Sequence, residues 1–387
     1  MKALVIGGGI GGISAAAALQ QQGIECDVFE AVSDIKPVGA AISIWPNGVK
    51  CMNRLGMAHI LARFAGPMHY LAYQDGHSGS TMTRFSLAPL VARVGERPCP
   101  VARADLQREM LHHWGMHAVQ FGKRVTRVAE TADGVCAWFT DGTQARGDFL
   151  VAADGSHSAV RPWVLGHTPP RRYAGYVNWN GLVAIDDSIA PADQWTTFVG
   201  EGKRVSLMPV SDNRFYFFFD VPLPAGLAQD RHSAREDLRR YFAGWAEPVQ
   251  QLINTLDTTA INRIEIHDIE PFATLVRGRV ALLGDAAHST TPDIGQGGGA
   301  ALEDAVVLGE ELGRLSHHGS IEQALHHYQQ RRCDRVRDLV LKARKRCDIT
   351  HGKDLALTAQ WYQSLCRESG EHIIDGLCDT IQGGPLG

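Results

Sequence analysis

The first thirty or so residues constrain the fold of this chain more than any other stretch. In MKALVIGGGIGGISAAAALQQQGIECDVFE, Lys2 to Ile6 is an apolar run of strand length, Gly9 to Gln22 is an alanine-rich helix stopped by Gly23, and Cys26 to Glu30 is the next strand. The pattern is a βαβ unit, and its glycines have separate tasks. Gly7 allows a tight turn, Gly9 lets the backbone approach a pyrophosphate, and Gly12 lets the helix pack close to the sheet. The helix N-terminus then offers unpaired N–H groups and a positive dipole end to phosphates. Glu30, ending the second strand, is placed to accept from ribose hydroxyls. These residues point to a bound dinucleotide without distinguishing FAD from NAD.

Two later stretches bear on that choice. Phe149 to Ala153 is an apolar strand running into Asp154, Gly155, Ser158 and Arg161, the pattern DGxxSxxR; alone, an Asp-Gly after a strand is turn chemistry. Val280 to Leu283 is another strand, followed by Gly284, Asp285 and a loop through Pro292, after which Gly295, Gly297, Gly298 and Gly299 open a helix. A helix N-terminus after a glycine-rich loop is an anion site. Beside a flavin it would stabilise negative charge on the reduced ring, while Asp285 would accept from ribityl hydroxyls. His288 reads as a structural histidine rather than a catalytic one. Three motifs in this order, spread over most of the chain, indicate a flavin wrapped by distant segments.

Composition narrows the partners. A chain of 387 residues has room for two or three domains. A net charge of −4 with interspersed signs leaves no electrostatic footprint for nucleic acid or an anionic membrane, so a small-molecule substrate is expected. The eight cysteines show neither CxxC nor zinc-ligand spacing, consistent with reduced thiols in a cytoplasmic protein and no metal centre. No run of about 20 apolar residues occurs, so no transmembrane helix is expected.

With GGGIGG, ADGSHSAVR and GDAAHSTTPDIGQGG all in place, the chain resembles the class A FAD-dependent aromatic hydroxylases, over essentially its whole length. Within that family, YAGYVNWNGLV from Tyr173, GEGKRVSLMPV from Gly200 and FYFFFDVPLPAGL from Phe215 are most similar to the branch that hydroxylates urate in purine breakdown. The resemblance implies an α/β architecture: a Rossmann-like FAD-binding domain of the p-hydroxybenzoate hydroxylase type, a mixed β-sheet substrate domain and a C-terminal helical segment. The expected pieces are 1–70, 99–170 and 271–330 for FAD, 71–98 and 171–270 for substrate, and 331–387 for the helical segment, which would serve as scaffold or in a homodimer.

It also implies chemistry and contacts. NADH binds transiently and reduces the flavin, O2 adds to give a C4a-hydroperoxide, and an electron-rich substrate carbon, C5 of urate, takes the distal oxygen to form 5-hydroxyisourate. FAD contacts carry over to Gly7, Gly9, Gly11, Gly12, Glu30, Ala31, Ser43, Arg103, Gln107, Val125, Asp154, Asp285, Gly295, Gln296, Gly297, Gly298 and Gly299, with Gly295 to Gly297 also beside the substrate. The substrate cation is expected at Arg204, which opens an apolar strand with no acidic residue near it in that strand; a solvated arginine beside a turn is the alternative. Asn178 would meet purine amide edges. Tyr216 shares the alternate face of its strand with Phe218 and Asp220, so its hydroxyl could meet a flat substrate, or simply pack. A straight hairpin through SDNR puts Arg204 and Tyr216 about five rungs apart, roughly 17 Å at about 3.3 Å per residue, and so leaves one of them outside the pocket.

Another aromatic acid as substrate, a flavin halogenase or reductase, and a flavin or purine sensor without turnover remain alternatives. The WxWxIP stretch of halogenases is absent.

Overall fold

A computed structural model describes residues 1–34, 40–115, 118–227, 233–315 and 319–387, together with the backbone of Ser316. The opening βαβ unit is present: strand Lys2–Ile6, helix Ile10–Gln20 and strand Glu25–Phe29, with Gly23 at φ +73° ending the helical segment. These strands lie inside a six-stranded sheet whose order is Val276–Arg277, Val280–Leu282, Phe149–Ala152, Lys2–Ile6, Glu25–Phe29 and Val119–Gln120. All neighbours run parallel except the Val276–Arg277 edge.

The register explains how remote motifs meet. Ile6 pairs with Ala152, and Ala152 with Leu282, so the chain leaves the sheet at Gly7, Ala153 and Leu283 from one level. Ligands of open parallel sheets bind beyond such carboxyl ends. Helix Ile10–Gln20 packs on helix Gly297–Gly313 through small residues: a Cβ on Gly309 would lie 2.9 Å from Ala18 Cβ.

The second large sheet has seven strands, ordered Asn262–Ile269, Arg171–Ala184, Arg214–Pro222, Lys203–Val210, Gln194–Gly200, Tyr70–Asp75 and Thr81–Ser86. It is mixed, because Gln194–Gly200 pairs parallel with Tyr70–Asp75 while its other pairings are antiparallel. Its two faces separate by the period of two. Val177, Trp179, Val205, Leu207, Phe215, Phe217 and Phe219 form a buried core with Leu238, Phe242, Trp245, Val249 and Leu252 from the helical region Ala234–Thr255. Asn178, Asn180, Arg204, Ser206, Phe218 and Asp220 take the other face.

The hairpin register departs from the straight reading of SDNR. Val210 pairs with Arg214, leaving a three-residue turn in which Asp212 and Asn213 adopt φ of +60° and +54°. Short polar side chains tolerate this left-handed conformation. The one-residue slip sets Arg204 opposite Asp220 and Tyr216 opposite Met208, four positions apart rather than five. An even separation puts both side chains on the same face.

The C-terminal part is helical: Ile321–Thr350, opened by a capping box at Ser320 and Gln323, then Leu355–Leu365 and Glu371–Gln382. All eight cysteines are free. Among the described residues no helix is long and apolar enough to cross a membrane.

Candidate active site

The glycines of the first motif sit where their tasks require. Gly7 has φ +112°, and a Cβ there would fall 2.2 Å from the Ala153 carbonyl oxygen; one on Gly12 would fall 1.8 Å from the Gly7 oxygen. A Cβ on Gly9 would meet nothing within 4 Å, leaving room for a ligand at the helix N-terminus. Gly11 abuts Leu283, the residue that leads into the third motif. Gly12→Ala is therefore expected to open the strand-to-helix turn and abolish cofactor retention, seen as a flavin-to-protein absorbance ratio near zero; a variant purified with wild-type flavin content would refute the packing role.

The acidic and amide residues around this turn already order it. Glu30 accepts from the Gly8 amide at 2.7 Å and from the Val32 amide at 3.0 Å, with half-buried Ala31 between. Gln107 Nε2 donates to the Gly8 carbonyl at 3.0 Å from helix Arg103–Trp114, whose first residue, Arg103, is exposed. Val125 has its side chain buried in the cluster containing Phe29 and Phe139, so only its backbone is left to face a ligand.

Arg161 joins the second motif to the third. Its guanidinium donates to the carbonyls of Ala286 at 2.7 Å and Asp285 at 2.9 Å, and to those of Ser156 and Gly155. Arg161 is thus a strut between DG and GD turns. Asp154 Oδ2 accepts from the Ala159 and Val160 amides, and burial pushes its carboxyl up against the pull of those bonds and the Ser158 hydroxyl. Asp285 is exposed at the start of the short helix Asp285–His288.

Beneath this turn lies an ionic cluster. Asp304 accepts from the Gly284 amide at 2.9 Å, meets His288 Nε2 at 2.6 Å and Arg332 Nε at 2.6 Å, while Arg332 also reaches Glu303 at 2.9 Å. Burial alone would raise the Asp304 carboxyl; His288 and Arg332 outweigh it and hold it well below the ordinary range. His288 is a satisfied structural histidine, as its sequence context suggested.

The glycine loop packs against the segment after strand Ala41–Ile44. Gly295, at φ +64°, leaves no space for a Cβ because Trp45 Nε1 would be 2.6 Å away, and one on Gly298 would strike Ile42. Asn47 donates to Gln296 Oε1 at 2.8 Å and to Glu303 at 2.7 Å, tying the loop to the helix below. Gly297 and Gly299 continue the helix start, the latter beside Asn47.

Among the described residues, Ser43 Oγ, Trp45 Nε1, Asn47 Oδ1, Gln296 Nε2 and Asp154 Oδ1 are buried here without a hydrogen-bond partner. Buried polar groups are ordinarily satisfied, so unpaired donors and acceptors in the second and third motifs and in the segment packed on the glycine loop fit a polar cofactor lying across them.

Arg204 is buried on the polar face of the seven-stranded sheet. Nε and Nη2 bond Asp220 Oδ2 at 2.8 and 2.6 Å, and Nη2 lies 3.4 Å from Asp293 Oδ1 in the turn before Gly295. Burial opposes the guanidinium charge, but Asp220 and Asp293 outweigh it and keep Arg204 protonated. An acidic residue is therefore near after all, across the strand rather than along it. Asn178 donates to Asp220 Oδ1 at 2.6 Å and its oxygen accepts from Asn180 at 2.6 Å, a ladder that fixes Asp220 from behind. Tyr216 and Arg204 lie on either side of Phe218, with ring centroids 5.4 Å apart for Tyr216 and the guanidinium 5.1 Å from the ring for Arg204. Burial, reinforced by Asp220, pushes the Tyr216 phenol up, so it stays a neutral hydroxyl.

Asp293, Tyr176 and His351 belong to this polar cluster and were not singled out from the sequence. Burial would raise the Asp293 carboxyl, yet His351 and Arg204 draw it down to about 2. Pro292-Asp293 inside the third motif was the one available signal; His351, beyond the long C-terminal helix, carried none.

A Rossmann-like sheet with three convergent glycine motifs, facing a mixed sheet that presents one buried arginine, defines a flavoprotein of the hydroxylase class. The FAD binding domain family model matches residues 1–343, and the chain belongs to that family. It is 72% identical to the FAD-dependent urate hydroxylase of Klebsiella pneumoniae subsp. pneumoniae, with 100% of both chains covered, and 52% identical to the FAD-dependent urate hydroxylase of Mycolicibacterium vanbaalenii, covering 100% of this chain and 98% of the relative. Its fold matches the crystal structure of Klebsiella pneumoniae HpxO complexed with FAD and uric acid at a TM-score of 0.98 and 71% identity, covering 100% of this chain and 98% of that one.

Proposed function

We propose that this chain is an FAD-dependent urate hydroxylase, converting urate, O2, NADH and a proton to 5-hydroxyisourate, NAD⁺ and water. The observation that carries the reading is Arg204, a buried cation on the sheet face that meets Asp293 in the turn before Gly295, in a chain similar along its full length to urate hydroxylases. FAD, when bound, supplies the redox chemistry: it takes electrons from NADH and activates O2.

The protein's part is position and electrostatics. The first motif and Glu30 hold the adenosine and pyrophosphate half, with Ala31, Arg103, Gln107 and the Val125 backbone beside it. Ser43, Asp154, Asp285 and residues 295–299 would hold the flavin half, and the N-terminal amides of helix Gly297–Gly313 would stabilise negative charge on the reduced ring. Arg204 binds the urate anion and favours its ionised form. Asn178 acts on urate through Asp220 and Arg204, Tyr216 presents a neutral hydroxyl over the polar face, and Gly295 to Gly297 close the pocket. The division into 1–70, 99–170 and 271–330 for FAD, 71–98 and 171–270 for substrate, and 331–387 as helical segment belongs to the same reading, as do a cytoplasmic location and a homodimer.

The test follows NADH oxidation by the FAD-loaded protein with and without urate, with 5-hydroxyisourate measured directly. Urate is expected to accelerate NADH loss and to disappear in step with it. No acceleration and no urate loss would sink the proposal; fast NADH oxidation yielding only peroxide would make urate a pseudo-substrate.

A further inference from the structure

Asp293 is shared by three partners. Its Oδ1 lies 3.4 Å from Arg204 and 3.3 Å from His351 Nε2, while Oδ2 accepts from the Tyr176 hydroxyl at 3.0 Å. His351 is buried and comes from the C-terminal helical segment, just past helix Ile321–Thr350. Its Nδ1 is 3.1 Å from the Gly202 carbonyl oxygen, in the turn that precedes Arg204. A carbonyl only accepts, so Nδ1 carries a proton. Nε2 then faces a carboxylate: off-axis for a hydrogen bond, but at ion-pair distance, where a bare lone pair repels and a second N–H attracts. The ring also stacks on Tyr176, with centroids 3.8 Å and planes 21° apart, and a phenol face favours a cation.

We infer that His351 is a positioning residue of the urate site, an imidazolium that neutralises Asp293 and so leaves Arg204 with Asp220 alone to balance. The inference rests on Arg204 being the partner of the urate anion. With His351 charged, Arg204 and His351 match Asp220 and Asp293. With His351 neutral, the cluster turns net negative toward an anionic substrate. The other groups around the ring cannot replace that charge. Tyr176 is a phenol pushed well up by burial and by Asp293 and Asp220; the Cys347 thiol is likewise raised by burial; and the Tyr362 hydroxyl accepts the Gly202 amide. Asp348, next along the helix, is paired with Lys353 at 3.1 Å.

The test compares FAD-loaded wild type, H351Q, D293N and the double variant H351Q/D293N for urate KM, kcat and product per NADH. H351Q should raise the urate KM about tenfold, which is about 1.4 kcal/mol, with a smaller effect on kcat. The double variant should recover toward wild type, because Asn at 293 needs no cation. An unchanged urate KM in H351Q, or a double variant weaker than H351Q, overturns the inference. So does ¹⁵N-histidine NMR of wild-type holoenzyme, should the ring that responds to D293N be a neutral tautomer at about pH 7; this reading is independent of how H351Q folds. A wild type that binds urate normally but gives no 5-hydroxyisourate would count against the hydroxylase reading and leave the charge inference to the binding data.

Discussion

Arg204→Gln is expected to retain FAD while the ratio of 5-hydroxyisourate formed to NADH consumed falls about tenfold or more, a loss of about 1.4 kcal/mol in the productive channel. Glutamine preserves bulk and one donor but not the charge or the paired contacts that Nε and Nη2 make with Asp220. Removing one member of a buried ion pair commonly costs about 3–5 kcal/mol, because the partner is left uncompensated. Here Asn178 still donates to Asp220 and His351 still faces Asp293, so the loss should fall on substrate positioning more than on folding. Measuring NADH, product and peroxide in the same reaction decides it. A product-to-NADH ratio equal to wild type would move the substrate cation elsewhere.

Arg332→Met is expected to be the more damaging change to the fold, by about 3–5 kcal/mol. Arg332 is 1% exposed, bonds Asp304 at 2.6 Å and Glu303 at 2.9 Å, and also donates to the Ala300 carbonyl. Methionine fills the space but leaves two buried carboxylates with fewer partners. Asp304 holds the Gly284 amide, so the damage should reach the GD turn and lower FAD affinity as well. Urea unfolding at fixed, saturating FAD, alongside a flavin titration, would separate the two effects. A loss below about 1 kcal/mol would show that the cluster relaxes or takes in water.

Local patterns were legible in the sequence; long-range polar pairings were not. The βαβ opening follows from glycine spacing and apolar run lengths, which act within a few residues. The two faces of FYFFFDV follow from alternation, and the structure keeps Phe215, Phe217 and Phe219 in the core with Tyr216, Phe218 and Asp220 opposite. The hairpin register was misread because SDNR gives no sign that Asp212 and Asn213 both turn left-handed. That single slip decided whether Arg204 and Tyr216 share a face. The polar cluster around Arg204 was hidden for a different reason: its partners Asp220 and Asp293, and His351 beyond Asp293, sit 16, 89 and 147 residues away along the chain, and only the packed fold brings them together. The expected site residues of the three motifs needed no such information, since each motif carries its own turn and helix.

The side-by-side strands that launch the three motifs also set a timetable for biogenesis. Phe149–Ala152 lies between Lys2–Ile6 and Val280–Leu282, so the sheet edge under the cofactor cannot close until the chain has been synthesised past Leu282, and the glycine loop past Gly299. An emerging nascent chain therefore carries its dinucleotide turn exposed through most of translation. Such non-local parallel pairing is slow and leaves unpaired edges at risk of misassociation. Supply of flavin during expression should accordingly govern yield at the last step of folding, after the third motif has emerged.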